Sequence, residues 1–162
     1  MTTKTNLAFN NHVEYGLRAL AILKHLYPTY GDLDKLACLD YIVVHSGDFS
    51  NSLDSLHAPI PHRSSELYIR RSLMRDGLKL LCQYGLASVI NDESGLQYVL
   101  TEEGEPFLDM LGSEYVEHVQ KRAKWAVREF GLLDSESLRR SIQQSFNGTD
   151  AEIAFRTHIL RG

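Results

Sequence analysis

Cysteine is scarce in this chain of 162 residues, and the two that occur form no motif. Cys38 and Cys82 both fall in apolar periodic segments, which is typical of buried free thiols rather than of a disulfide or a metal site. Such thiols fit a reducing cytosol, so we expect a cytoplasmic protein. No apolar run approaches the roughly 18 residues of a membrane span. The N-terminal residues also lack the apolar core and cleavage site of a secretion signal, so we expect neither feature.

Motifs that carry enzyme chemistry are missing as well. The chain has no GxxxxGK[ST], GxGxxG, HExxH, CxxC or GxSxG pattern. The nearest approach to a ligand set lies in or beside one loop, at His45, Asp48, His57 and His62. His57 and His62 are five positions apart with prolines between them, which matches no standard zinc spacing. We therefore expect no catalytic residue, metal, cofactor or small-molecule substrate, and a metal-dependent hydrolase is the least favoured alternative.

Charge is unevenly distributed, although the net charge is only −4. Residues 62–84 carry five basic and two acidic groups, whereas residues 85–112 carry six acidic groups and no lysine or arginine. A positive segment is thus followed directly by a strongly negative one. A partner that contacts both segments must therefore be compatible with a positive and a negative surface.

Apolar periodicity predicts helices around a single hairpin. Asn11 and Glu14 form a capping box before a first helix that ends near Tyr27, and Asp32 starts a second helix that runs to about His45. Residues 46–62 have no period, and loops of this length are usually functional or mobile. The remaining predicted elements are a helix from Ser64 to Tyr84, a hairpin with its turn at residues 92–95, a helix capped by Thr101, a helix from Ser113 to Phe130, a helix begun by Asp134, and a last helix from Thr149 to Leu160.

The helix from Ser64 to Tyr84 has two faces of opposite character. Arg70 falls near the middle of its apolar face and therefore needs a carboxylate or several carbonyls. Glu66 one turn earlier, or an acid on the second helix such as Asp40, can supply the partner. The rest of that face is apolar: Leu67, Ile69, Leu73, Met74, Leu80, Leu81 and Tyr84. The opposite face carries cations at i, i+4 and i+8, and we call these the basic stripe: Arg71, Arg75 and Lys79.

The basic stripe has three open interpretations. Together with Arg63 it can contact DNA phosphates, because the recognition helix of a helix-turn-helix enters the major groove. It can also face an acidic patch inside a larger assembly, or it can be a solvated surface. Asp92 and Glu93 at the hairpin tip argue against direct DNA binding, since phosphates repel carboxylates. The stripe and Arg63 are therefore candidate DNA- or partner-contacting residues.

The order helix, helix, long helix, hairpin, helix is that of a winged helix-turn-helix. We predict a mainly α fold with one β-hairpin wing and additional C-terminal helices. Residues 1–112 would form the winged-helix domain with its N-terminal helices, and residues 113–162 a helical extension packed on the same domain or on a partner. In that extension Trp125 lies off the apolar face of its helix, and the last helix has too few apolar residues to be stable alone. The candidate partner anchors are Trp125, Phe155 and Ile159.

The sequence resembles a known family over about residues 12–133. The segments LDY…HSGDF and PHRS-E-L…RR, together with LTEEGEPFLDMLGSEYV, are similar to the middle component of bacterial ABC-three-component systems, which include the Lamassu-type anti-phage systems. The resemblance implies a non-enzymatic adaptor of an SMC- or Rad50-like ATPase in anti-phage or anti-plasmid defence. It also implies an effector subunit, often a nuclease. Double-stranded DNA is a candidate further partner, contacted through the complex. The alternative from another class is a stand-alone winged-helix transcriptional regulator that binds duplex DNA.

Overall fold

The computed structural model describes residues 11–57 and 63–146, with the side chains of residues 63–66 excepted. This part of the chain is mainly helical, with one two-stranded antiparallel sheet. Its elements are α1 His12–Leu26, α2 Leu33–Val44, a short 3-10 turn at Ser46–Asp48, α3 Arg63–Gln83, β1 Ala87–Asp92, β2 Gly95–Leu100, α4 Gly104–Met110, α5 Glu114–Phe130, and α6 at residues 135–146. None of the described helices is long and apolar enough to cross a bilayer.

Side-chain caps determine where four of the helices begin. In each case an oxygen of the capping side chain accepts a hydrogen bond, of 2.7–3.2 Å, from the backbone N–H three residues later. Such a bond satisfies one of the amide groups that a helix start leaves without a partner. These caps confirm the predicted starts, at Asn11, Asp32, Ser113 and Asp134.

The predicted cap of α4 is wrong. Thr101 does not cap the helix, which begins only at Gly104, and its hydroxyl instead donates to the carbonyl of Gly85 at 2.7 Å. Thr101 thereby ties the end of β2 to the turn that follows α3. We expected the Thr101 hydroxyl to cap its own helix, but it bonds to Gly85, which is 16 positions earlier in the sequence.

The hairpin packs against the helices and is also bonded to the connection between α1 and α2. β1 and β2 pair from Ala87 with Leu100 to Asp92 with Gly95, so the predicted hairpin is confirmed and its strands extend to the first and last of the predicted turn residues. Gly31, between α1 and α2, forms an isolated bridge with Tyr98 on β2 through two backbone hydrogen bonds of 2.8 and 3.1 Å. The α1–α2 connection therefore holds the hairpin in place.

The core lies among α1, α2, α3 and α5. α1 is buried on nearly every side, and residues 19–23 are fully shielded from solvent. α1 and α3 cross closely because both have glycine at the crossing. A Cβ added to Gly77 would lie 2.6 Å from the backbone nitrogen of Gly16, so no larger residue fits there. α5 and α6 contribute buried residues to the same core, among them Ala123 and Leu138.

Two of the residues predicted on the apolar face of α3 are exposed to solvent. Ile69 is 58% exposed and Tyr84 is 70% exposed. The buried surface of α3 is narrower and centred on Met74 and Leu78, because the close crossing at Gly77 determines which side of α3 meets α1.

In the C-terminal extension, Trp125 is half-buried, edge-on to Phe130 with ring centroids 5.9 Å apart. The predicted helix from Thr149 to Leu160, with Phe155 and Ile159, lies outside the described residues.

Candidate functional site

A buried charge cluster joins the first three helices. Asp40 on α2 is fully buried, and its Oδ1 accepts a hydrogen bond from Nε of Arg18 on α1 at 2.6 Å. Its Oδ2 accepts from Nη1 of Arg70 on α3, also at 2.6 Å. Of the partners predicted for Arg70, a carboxylate or several carbonyls, the carboxylate of Asp40 is confirmed. The second candidate, Glu66, has no described side chain.

The electrostatics of the cluster follow from one carboxylate between two guanidinium groups. Burial alone would raise the pKa of the Asp40 carboxyl, but the charges of Arg18 and Arg70 outweigh it and hold that pKa below its usual value. Aromatic rings complete the shell. The guanidinium of Arg18 lies 4.5 Å from the ring centroid of Tyr15 and donates to the hydroxyl of Tyr115 at 3.3 Å. All three charges therefore have partners within the protein.

Arg18 is the member of the cluster that sequence reasoning missed. It is the only charged residue between Tyr15 and Leu23, in a helix segment that is otherwise apolar. That isolation was the available signal, because an arginine is rarely fully buried unless it is paired.

The loop after α2 is hydrogen-bonded both to the end of α2 and to α5. The backbone N–H groups of Leu56 and His57 donate to the carbonyl of Val44, and Nε of Arg122 on α5 donates to the carbonyl of Asp54 at 2.8 Å. Burial, followed by the nearby arginine charges, lowers the pKa of His57 to about 4. Residues 46–57 are therefore attached to α2 and α5 by hydrogen bonds.

None of the chemistry-bearing residues forms a metal or thiol site in the described ranges. Residues 11–57 and 63–146 contain no group of three or more His, Cys, Asp or Glu residues that could hold a metal ion. His62 lies outside those ranges, so the expectation that His57 and His62 bind no metal stays a prediction. Both cysteines are free, and burial raises the pKa of the Cys38 thiol to about 12. A thiol with such a pKa is a poor nucleophile.

The basic stripe lies on the solvent side of α3. Arg71, Arg75 and Lys79 are all exposed. Nε of Arg71 pairs with the carboxylate of Asp34 on α2 at 2.8 Å, whereas Arg75 donates to the hydroxyl of Ser72 on its own helix at 3.4 Å. Of the three stripe cations, Arg71 is thus the one whose charge is matched by a carboxylate on a neighbouring helix.

The geometry of the stripe differs from that of an active site. Lys79 lines a shallow depression of about 330 Å³ with His12 and Asp76, and that depression is open to solvent. Arg63 lies at the start of α3, but its side chain is not described. The arrangement can bind an anionic surface, and it is mounted on a helix whose opposite side is fixed by Arg70 and Asp40.

Comparison with known proteins gives one match. The family model described as ABC-three component (ABC-3C) system Middle Component 2 matches residues 8–152, which is most of the chain. No curated protein and no solved structure matches the chain.

Proposed function

The chain belongs to the Middle Component 2 family of ABC-three component systems, and we propose that it is the non-enzymatic adaptor subunit of its system. Membership makes it an accessory component of a defence system with several components. In our proposal it acts in the cytoplasm against phages or plasmids, in a system of the Lamassu type. It binds an SMC- or Rad50-like ATPase, and an effector subunit, often a nuclease, completes the assembly.

The observation that carries the adaptor role is the contrast between the two sides of α3. One side is fixed to α1 and α2 through Arg70, Asp40 and Arg18, with two ionic contacts of 2.6 Å. The other side presents the basic stripe to solvent. A cationic surface on a helix that is held by buried ionic contacts is preorganised and loses less conformational entropy on binding, which favours recognition of an acidic patch.

A winged-helix arrangement is part of the proposal, but its use for direct DNA binding is not. The element order and the bridge from Gly31 to Tyr98 support the arrangement. However, residues 45–62 separate α2 from α3, whereas a helix-turn-helix has a turn of about three or four residues. The acidic tip at Asp92 and Glu93 also opposes a phosphate backbone. We therefore assign the basic stripe to a protein partner, and DNA contact to the complex as a whole.

The test is charge reversal in the complete assembly. The chain is co-expressed with the products of neighbouring genes and carries Arg71→Glu, Arg75→Glu and Lys79→Glu. We expect at least a tenfold loss of co-purified ATPase and loss of phage defence, because the acidic patch would meet carboxylates. A matched control reverses three exposed cations on α5 and α6, namely Lys121, Arg128 and Arg140, and should retain the complex.

Two outcomes decide against the proposal. If the stripe variant keeps both partner binding and defence, the stripe is a solvated surface and has no adaptor role. If the isolated chain binds duplex DNA and the stripe variant loses that binding, the stand-alone regulator is correct. The gene neighbourhood gives a quick first check, since an adjacent gene for a coiled-coil ATPase supports the adaptor.

A further inference from the structure

The direction of the backbone groups along the hairpin follows from its bond to the α1–α2 connection. Tyr98 on β2 uses both its backbone N–H and its carbonyl to bond to Gly31, on the side of β2 away from β1. The pair of Tyr98 with Val89 is therefore of the non-hydrogen-bonded type, in which the backbone groups of the two residues point away from each other. Three positions further along each strand, the N–H of Thr101 donates to the carbonyl of Leu86, which agrees with this alternation.

This alternation determines which groups β1 presents at its outer edge. The N–H and C=O of Val89 and Asn91 point outward, whereas those of Ser88 and Ile90 point toward β2. In the part of the chain that the structure describes, the only strand paired with β1 is β2, and the outward groups of Val89 and Asn91 have no backbone partner. We call this row of outward groups the free edge.

Strand β1 lacks the features that keep an edge strand from pairing with another chain. Its six residues contain no lysine, no proline and no bulge, and the one charged residue is Asp92 at the end of the strand. Residues 88–91 are all exposed, among them Val89 at 47% and Ile90 at 36%. Natural proteins usually protect an edge that combines exposure with β-branched side chains. The free edge is therefore suited to receive an extended strand.

The segment that complements the free edge is β1 itself. A helix cannot satisfy the outward groups, because its own backbone groups are already paired. When two copies lie antiparallel about a two-fold axis, a register with Ile90 opposite Ile90 of the second copy lets each Val89 exchange both its backbone groups with Asn91 of the other copy. The same register makes the two Ile90 side chains a non-hydrogen-bonded pair, in which cross-strand side chains approach closest.

The charges at the hairpin tip are compatible with this register. Asp92 of one copy lies opposite Ser88 of the other, whose hydroxyl can donate to the carboxylate. The tips point in opposite directions, so Asp92 and Glu93 of the two copies stay apart. A shift of the register toward the start of β1 would need Ala87, which is buried, and a shift toward the tip would bring the Asp92 carboxylates together.

We propose that the chain forms a homodimer through the free edge, in which the hairpins of the two copies join into one continuous antiparallel sheet. The assembly stops at the dimer, because a two-fold axis uses the same edge of both copies. The dimer is independent of the adaptor function and leaves the basic stripe of each copy free for a partner.

The first measurement is the sedimentation of the full chain. The weight-average sedimentation coefficient of the wild type should rise between about 5 µM and about 500 µM chain, because so short an edge gives a small interface and a weak dimer. Ile90→Lys should abolish that rise, since it puts like charges directly opposite each other. Leu96→Lys is the matched control, because Leu96 is 56% exposed on β2, outside the free edge, and its variant should dimerise as the wild type does.

A second variant separates pairing from folding. Ile90→Glu should be monomeric alone, for the same reason as Ile90→Lys. An equimolar mixture of the two variants should associate about tenfold more tightly than either variant does alone, because the introduced lysine then faces the introduced glutamate. Both variants should keep the circular dichroism spectrum of the wild type. A folding defect could not produce such a rescue.

Three results would overturn the proposal. A wild type that stays monomeric up to about 500 µM shows that the free edge does not recruit a second copy. A dimer that Ile90→Lys leaves intact, or a mixture without rescue, places the contact elsewhere on the chain. If the isolated wild type is monomeric while Ile90→Lys releases a subunit that co-purifies with the wild type, a strand of that subunit occupies the free edge instead of a second copy.

Discussion

Asp40 is a single buried carboxylate that serves arginines from two other helices. Arg18 and Arg70 both depend on it, since both are buried and each contacts it at 2.6 Å. Removing one partner of a buried ion pair destabilises a protein far more than removing an exposed one, because the remaining charge stays in an apolar surrounding. The effect of a substitution at Asp40 should therefore exceed that of any surface charge.

We expect Asp40→Asn to lower the free energy of unfolding by about 3–5 kcal/mol, because two guanidinium groups lose their counter-charge. Urea unfolding followed by circular dichroism measures this. Asp34→Asn is the matched control on the same helix, since Asp34 forms an exposed pair with Arg71 and should cost less than about 1 kcal/mol. Equal losses in the two variants would mean that the buried cluster adds nothing beyond a surface pair.

His57 gives the stability of the protein a pH dependence. Burial lowers its pKa in the folded state to about 4, below the usual value of 6.5. Between those values the unfolded chain binds a proton that the folded chain does not, so stability falls as the pH drops from about 6.5 to about 4. Asp40 contributes a further loss of stability only at lower pH, because the pKa of its carboxyl in the folded state lies below its usual value.

The corresponding prediction is that His57→Gln flattens this dependence. The difference in urea midpoint between pH 7 and pH 5 should be smaller in the variant than in the wild type. It should not vanish, since burial also lowers the pKa of His25. An unchanged difference would show that His57 does not titrate differently in the two states.

At the scale of elements, the crossing of α1 and α3 depends on two glycines. Gly77→Ala would place a methyl group against the backbone of Gly16, which cannot yield as a side chain can. We expect a loss of about 1–3 kcal/mol, as for other overpacked sites. Thermal unfolding measures the loss.

Gly112 provides the control for that substitution. An added Cβ there meets no atom within 4 Å, so Gly112→Ala should change stability by less than about 1 kcal/mol. A Gly77→Ala protein as stable as the Gly112→Ala protein would contradict the close crossing.

The sequence predicted four of the helix starts and one buried contact because these have local signals. Asn11, Asp32, Ser113 and Asp134 cap helices three residues before their hydrogen-bond donors, and the register of α3 alone places Arg70 among apolar residues. A charge at such a position requires a counter-charge. Asp40 qualifies as its source because it is an acid within the otherwise apolar stretch of α2.

Contacts that depend on the packing of distant elements were not predictable in the same way. The exposure of Ile69 and Tyr84 follows from how closely α3 approaches α1, and the role of Thr101 follows from its distance to Gly85. The attachment of Asp54 to Arg122 joins residues 68 positions apart. The periodicity of a single segment does not reveal contacts between residues that are far apart in the sequence. The partner-contacting roles of the basic stripe, Arg63, Trp125, Phe155 and Ile159 stay predictions.

At the scale of the whole molecule, the basic stripe and an acidic hairpin tip belong to adjacent elements, since α3 contacts β1. We expect the isolated chain to show no binding to a fluorescent duplex in anisotropy measurements at about 150 mM salt, because Asp92 and Glu93 offset the stripe. Changing Asp92→Asn and Glu93→Lys should raise DNA affinity measurably. Tight binding of the duplex by the wild-type chain would contradict the idea that Asp92 and Glu93 offset the charge of the stripe.

The shared carboxylate of Asp40 also determines how α1, α2 and α3 can separate. Releasing α2 would leave both guanidinium groups buried without a carboxylate, and releasing α1 or α3 would break one of the two ionic contacts, so partial opening should have a large part of the free energy of complete unfolding. Amide protons in the interiors of these helices should then exchange with solvent in a single cooperative step. A displacement applied to the outer face of α3 would accordingly carry α1 and α2 with it as one rigid body.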